Sequence, residues 1–216
     1  MSAEFVACME DVLELYEEPY DSKRPVVCFD ETSKQLLREK RAPIPPKAGR
    51  LERFDYEYKR YGTRNLFMLC EPLAGWRHVE VTERRTMVDF AHQMRWLVDV
   101  AYPHAEKIRV VLDNLNTHRP ASLYQTFGPK EARRVIKRLE LHHTPKHGNW
   151  LNMAEIEFSV FGKQCLRRRI GDAEELKREV GALEAERNQA KATISWRFST
   201  MDAQGKLQHI HPSTLD

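Results

Sequence analysis

Short apolar runs and helix-spaced apolar stripes alternate along this chain. The run Pro25-Val26-Val27-Cys28-Phe29 is continuous and β-branched at its centre, which predicts a buried strand ending at Asp30. Residues 65–70 predict a second strand and residues 72–75, closing on Gly75, a turn. Residues 76–81 set Trp76, His78 and Glu80 opposite Arg77, Val79 and Val81, the alternation of a returning hairpin arm. Residues 108–112 are a further buried strand, delivering Asp113, and residues 139–143 a short one. Helical spacing places Val6, Met9, Leu13 and Tyr16 on one face of residues 4–18. Met87, Phe90, Ala91, Met94, Leu97, Val98 and Ala101 form a longer stripe, with Thr86 as its cap and Pro103 beyond its end. Helices are also expected over 129–137, from Asn152 to about Leu166, and after Asp172, whose spacing to Glu175 suits a capping box; Leu176, Val180 and Leu183 line the last of these. Residues 32–62, polar, basic and broken by Pro43, Pro45, Pro46 and Gly49, read as a long loop or insertion. The tail from Ser195 reads as irregular, anchored by Trp196, Phe198 and Leu207.

An early hairpin followed by alternating helices and strands implies an α/β fold with a mixed sheet flanked by helices, the element order of the ribonuclease-H-like fold. The chain divides on this reading into an N-terminal helix and linker (1–24), a ribonuclease-H-like domain (25–170), and a C-terminal amphipathic helix and tail packed on it (171–216).

Composition narrows the class without naming it. With 216 residues, 41% hydrophobic and 31% charged, the chain can bury a core without crosslinks. No apolar run reaches the length of a membrane span, and the acidic N-terminus is not a secretory signal. Cys8, Cys28, Cys70 and Cys165 fit no zinc spacing, so a reduced, cytoplasmic setting is expected. The net charge is only +3, yet residues 31–64 hold ten Lys or Arg against five acids. Arg133, Arg134, Lys137 and Arg138, and then Arg167, Arg168 and Arg169, form two further basic clusters. Such patches hold phosphates, or are ordinary solvated surface.

Asp30 and Asp113 end two apolar strands. If those strands pair, about 5 Å apart, their carboxylates converge. Converging carboxylates repel unless a cation neutralises them, and hard oxygen donors suit Mg2+ or Mn2+. Glu155, in the first turn of the helix after Asn152, is the third candidate; three such acids can hold two ions for phosphodiester chemistry. On spacing alone a second reading stands beside this one: turn-forming aspartates and a helix-dipole glutamate.

Four blocks carry a family resemblance. Phe29-Asp30-Glu31-Thr32, YGTRNLF at 61–67, VVLDNLNTH at 110–118 and TPKHGNWLNMAE at 144–155 resemble, in order, the conserved blocks of mariner-superfamily transposases, most closely the bacterial insertion-sequence six-thirty branch. The resemblance implies a DDE catalytic domain that uses Mg2+ or Mn2+, as two ions, to cut and rejoin double-stranded DNA at transposon ends and target. It assigns Asp30, Asp113 and Glu155 as the acids. Glu157 is the rival to Glu155, but lies about 200° further around the helix, so only one of them can face the metals. Glu31 is expected to face away from Asp30. Lys34, Arg64, His118, Lys146, His147 and Asn152 are the candidate DNA contacts. His142, His143 and His147 lack a cysteine partner for zinc, and Trp150 reads as packing under its loop rather than as a base-stacking platform. Only 29 residues precede Asp30, too few for the helix-turn-helix of family members. A truncated or split copy is therefore expected, with a homodimer in synapsis and a separate helix-turn-helix subunit. A non-autonomous remnant and a nuclease without strand transfer are the alternatives.

Overall fold

The computed structural model describes residues 3–41, 47–51 and 57–206. Helix α1 (Ala3–Glu17) leads into strand β1 (Val26–Glu39), then β2 (Tyr58–Glu71) and β3 (Trp76–Thr82). Helix α2 (Met87–Trp96) runs on through a wider π turn to Ala101, followed by β4 (Ile108–Leu112), α3 (Pro120–Thr126), α4 (Pro129–Ile136) and β5 (Leu139–His143). Helix α5 (Ala154–Phe161), extended by a π turn to Leu166, precedes α6 (Ala173–Gln189) and α7 (Thr200–Lys206).

The five strands form one mixed sheet in the order β3-β2-β1-β4-β5. The β1, β2 and β3 pairings are antiparallel, whereas β4 runs parallel to both β1 and β5. Strand alternation sends Val27 and Phe29 to one face, into a core with Phe67, Leu69, Phe90, Met94, Val110 and Leu112. Cys28, Met68, Cys70 and Val111 face the other way, against α1, α5 and α6. Each inward apolar side chain removed from water stabilises the fold by roughly 1.5–3 kcal/mol.

The expected strands on either side of the long insertion are longer than their apolar runs. β1 continues to Glu39 and β2 starts at Tyr58, paired from Cys28↔Cys70 to Glu39↔Tyr58 across an irregularity between Gln35 and Leu37. The loop expected over 32–62 is thus largely a polar two-stranded arm. Leu36 is its buried apolar residue, so backbone pairing holds the arm without the alternation that marks a strand in sequence. Pro43, Pro45 and Pro46 lie outside the described residues, as does Leu207. Two short helices were not expected: α3, which has Pro120 in its first turn and no side-chain cap, and α7, whose first turn is closed by Ser199 and Asp202.

Two expected caps are present. Thr86 and Asp89 form a reciprocal capping box on α2, and the Asp172 carboxylate accepts from the Glu175 amide at 2.8 Å.

The segment after α6 crosses the β2–β3 turn at Gly75. Gly75 has φ +67°, and a Cβ there would sit 2.5 Å from the Lys191 carbonyl. Gly75→Ala combines left-handed strain with a backbone clash and is expected to cost about 1–3 kcal/mol. The loss should be read as a lower urea midpoint at unchanged m-value.

Candidate active site

The parallel register of β1 and β4 sets the site. Cys28 lies opposite Val111, so Asp30, within β1, and Asp113, just past the end of β4, each two residues on, come close to one another. Asn152 adds the third element. Its side-chain amide donates to the Phe29 carbonyl at 2.8 Å, and its Oδ1 accepts from the Ala154 amide at 3.1 Å. One buried side chain therefore ties the start of α5 to β1 beside Asp30, although the helix begins after Met153 with no side-chain cap where Asn152 was expected to supply one, and Glu155 lies near Asp30.

The electrostatics register this crowding. Asp30 is 9% exposed, and its Oδ1 accepts from the Glu31 amide at 2.8 Å. Burial pushes its carboxyl up to about 8, helped by the nearby charges of Glu155, Asp113 and Glu31 and opposed by that amide. Glu155 is exposed and Asp113 half-buried. Among the described residues no three His, Cys, Asp or Glu side chains are already gathered as a metal cage. The acids are neighbours that repel rather than ligands around one point.

Asp113 is held on its other side by His118. The imidazole Nδ1 bonds Asp113 Oδ1, while Nε2 lies 3.0 Å from Glu31 Oε2, close enough for an ion pair but off the line of a good hydrogen bond. Burial by itself would lower the His118 pKa; Asp113 and Glu31 outweigh it and push it up to about 9. Glu31 does face away from Asp30, and His118 is what it meets.

The two glutamates of α5 part company. Glu157 is fully buried between Arg77 of β3, 3.2 Å away, and Arg187 of α6, which grips both its oxygens at 2.7 and 2.9 Å. Arg77 also donates to the Gly75 and Ala192 carbonyls. Glu157 is thus committed to joining α5, β3 and α6, while Glu155 stays on the face toward Asp30. The sequence did carry a signal for Arg77, because the β3 alternation puts it in the inward set with Val79 and Val81.

The expected DNA contacts divide. Lys146 and His147 are exposed in the loop before α5, His147 with φ +67°. His118 and Asn152, the other two expected contacts near the acids, are each 1% exposed, and both side chains meet the buried partners described above. Lys34 donates to the Leu166 and Arg168 carbonyls, closing the end of the α5 extension, and its pKa is lowered by burial. Arg64 donates to the Thr63 carbonyl and lies 3.5 Å from Glu83. In the basic clusters Arg134 pairs with Asp99 and Glu131, Arg168 with Glu179, and Arg169 with Glu39. Trp150 is 46% exposed, its ring stacked on Trp196 at 6.4 Å and edge-on to Phe198 at 5.6 Å. His142 bonds Asp11 and Glu140, and His143 the His118 carbonyl, so these histidines face separate partners.

Comparison with known proteins places this arrangement. The profile of the DDE superfamily endonucleases matches residues 25–177. Among solved structures, the Mos1 mariner paired-end complex with Mn is similar over 90% of this chain and 63% of that one, with a TM-score of 0.56 and 15% identity. The Mos1 strand transfer complex matches over 88% of this chain and 56% of that one, at a TM-score of 0.57 and 14% identity. The chain spans less than two thirds of the length of either, and the likeness establishes the ribonuclease-H-like fold. No curated protein sequence matches the chain.

Two outcomes test the site. Glu157→Ala strands Arg77 in the interior and is expected to cost about 3–5 kcal/mol in denaturant unfolding. Glu155→Ala, at an exposed position, is expected to leave stability within about 0.5 kcal/mol. The second concerns pH. The folded pKa of Asp30 lies above its unfolded value, so its stabilising contribution is complete below the ordinary carboxylate range and is lost as pH rises through about 8. In metal-free protein, Asp30→Asn should therefore melt above the parent at pH 8 and lose that advantage near pH 4. Calorimetry in chelator should show about 2–4 °C for each kcal/mol of relieved repulsion.

Proposed function

Taking as premise that this chain belongs to the DDE superfamily endonucleases, we propose that it is the catalytic domain of a cut-and-paste DNA transposase. The observation that carries the reading is the Asp30–Asp113–Glu155 neighbourhood where the parallel pairing of β1 and β4 ends. The residues fit divalent cations: they offer hard oxygen donors, and the repulsion that raises Asp30 is what a cation relieves. Mg2+ or Mn2+, as two ions, would when bound polarise the scissile phosphate and lower the pKa of an attacking water or 3′-hydroxyl.

The remaining work belongs to the protein. Asp30 is fixed within β1, Asp113 by the end of β4 and Glu155 by the Asn152 tether, so the three donors are held near one another and would draw together as they take up charge. Lys146 and His147, exposed beside the site, are placed to meet backbone phosphate, a contact that positions DNA without reading its sequence. The catalytic unit on this reading is residues 25–170, with α1, α6 and α7 packed on it. Its partner is double-stranded DNA, transposon ends first and target second. The paired-end and strand-transfer states of the Mos1 structures support that pairing. A homodimer in synapsis and a helix-turn-helix subunit for finding the ends complete the proposed assembly, acting in the cytoplasm on the nucleoid. No helix among the described residues is long and apolar enough to cross a membrane.

The test is Mg2+-dependent nicking of transposon-end DNA. It should fall to background in Asp113→Ala and in Glu155→Ala while both proteins stay folded. Undiminished nicking in Asp113→Ala would overturn the assignment.

A further inference from the structure

Within the reading just given, on which the inference rests, we propose that His118 is a positioning residue that sets how Asp113 is presented to a divalent cation, with Glu31 as its rear support. The geometry supplies the argument. The His118 side chain is 1% exposed, and the Glu31 side chain that faces it is 5% exposed. The ring sits edge-on to Phe29, with centroids 5.1 Å apart, and tilted against Phe90 at 5.0 Å. Its backbone is fixed at both ends: the amide donates to the Leu115 carbonyl at 3.0 Å, and the carbonyl lies 3.0 Å from His143 Nε2. A side chain locked on four sides has one orientation, and that orientation aims Nδ1 at Asp113 Oδ1. The Leu115 amide, at 3.4 Å, reaches the same oxygen. Both contacts fall on Oδ1, which leaves Oδ2 as the ligand oxygen.

A packing role alone does not account for this arrangement. The pocket between Phe29 and Phe90 would take an apolar ring, with no need to bring a second carboxylate from β1 into the interior. Burying Glu31 costs desolvation, which its ion pair with the imidazole it faces offsets. A carboxylate that orients an imidazole, which in turn orients a metal-ligating carboxylate, is the kind of outer-shell support whose loss weakens metal affinity by about 10–100-fold.

Two near-isosteric substitutions separate the two ring nitrogens. His118→Asn places an amide nitrogen close to the Nδ1 position and keeps the Asp113 contact; His118→Gln places it close to Nε2 and keeps only the Glu31 contact. Mn2+ binding to the whole chain would be followed by the loss of the free-ion electron paramagnetic resonance signal, alongside melting of the metal-free protein and Mg2+-dependent nicking. His118→Gln is expected to weaken Mn2+ binding by about 10–100-fold, and His118→Asn to remain within about threefold of the parent, at similar melting temperatures. Equal Mn2+ affinity in the two variants, or a greater loss in His118→Asn, overturns the positioning role. If neither variant folds, Glu31→Gln decides: about tenfold weaker Mn2+ binding supports the role, and unchanged binding overturns it. Asp113→Ala separates the two levels of the argument. If it leaves Mn2+ binding intact, the metal-site reading itself fails; if it abolishes binding while the His118 pair behave alike, only the positioning role fails.

Discussion

Two carboxylates brought close by adjacent parallel strands repel, and burying one of them raises the cost. That is the constraint around which the rest of the molecule is arranged. The register that sets Cys28 against Val111 brings Asp30 and Asp113 together, and the Asn152 tether adds Glu155 to a place already too negative. Burial and neighbouring acids push Asp30 up to about 8, so the metal-free site has every reason to hold a proton or a cation. A sheet built only for stability would not put its acids there. The two apolar layers on either face supply the rigidity that keeps them together.

The strands that carry the aspartates were legible because they are buried on both faces. Val26 to Phe29 is a continuous apolar run and Ile108 to Leu112 is broken by Arg109 alone, a pattern that leaves little choice of structure. The β1–β2 arm was not legible, since its strands are polar and partly exposed and its pairing resides in backbone hydrogen bonds that leave no trace in side-chain pattern. Helices α3 and α7, each of seven residues, are too short to set up a periodic stripe. The candidate site divides by the same physics. Acids at strand ends can be located from a one-dimensional pattern, whereas His118 between Glu31 and Asp113 joins residues 87 and 5 positions apart on different elements. Burial also moved expected DNA contacts indoors: polar type and a loop position pointed His118 and Asn152 outward, but each satisfies buried partners that only the tertiary structure supplies.

Helix α5 carries both of its first-turn glutamates to opposite ends. Glu157 accepts from two guanidinium groups, one on β3 and one on α6, and so fixes the rotation of the helix about its own axis. Two residues along a helix is about 200°, so fixing Glu157 inward fixes Glu155 outward, toward Asp30. The buried ion cluster thereby does two things. It stabilises the junction of α5 with the sheet edge and with α6, and it chooses which acid reaches the site. Arg187 lies beyond the matched span of residues 25–177, so the orientation of Glu155, the proposed third acid, depends on a helix that the family profile covers only at its start.

That dependence changes how the C-terminal segment is to be understood. Were α6 merely laid on the surface, its loss would expose Leu176, Val180 and Leu183 and lower stability without touching the acids. Instead Arg187 holds Glu157, Asn188 bonds the Arg77 backbone at both its amide and carbonyl, and the chain after α6 passes over Gly75 and accepts from Arg77. Each contact ties α6 to the same two elements, β3 and α5. The sheet edge farthest from Asp113 is thus coupled through one arginine pair to Glu155, the acid proposed to complete the site, and its orientation toward Asp30 is set by charges that lie wholly outside the acidic neighbourhood.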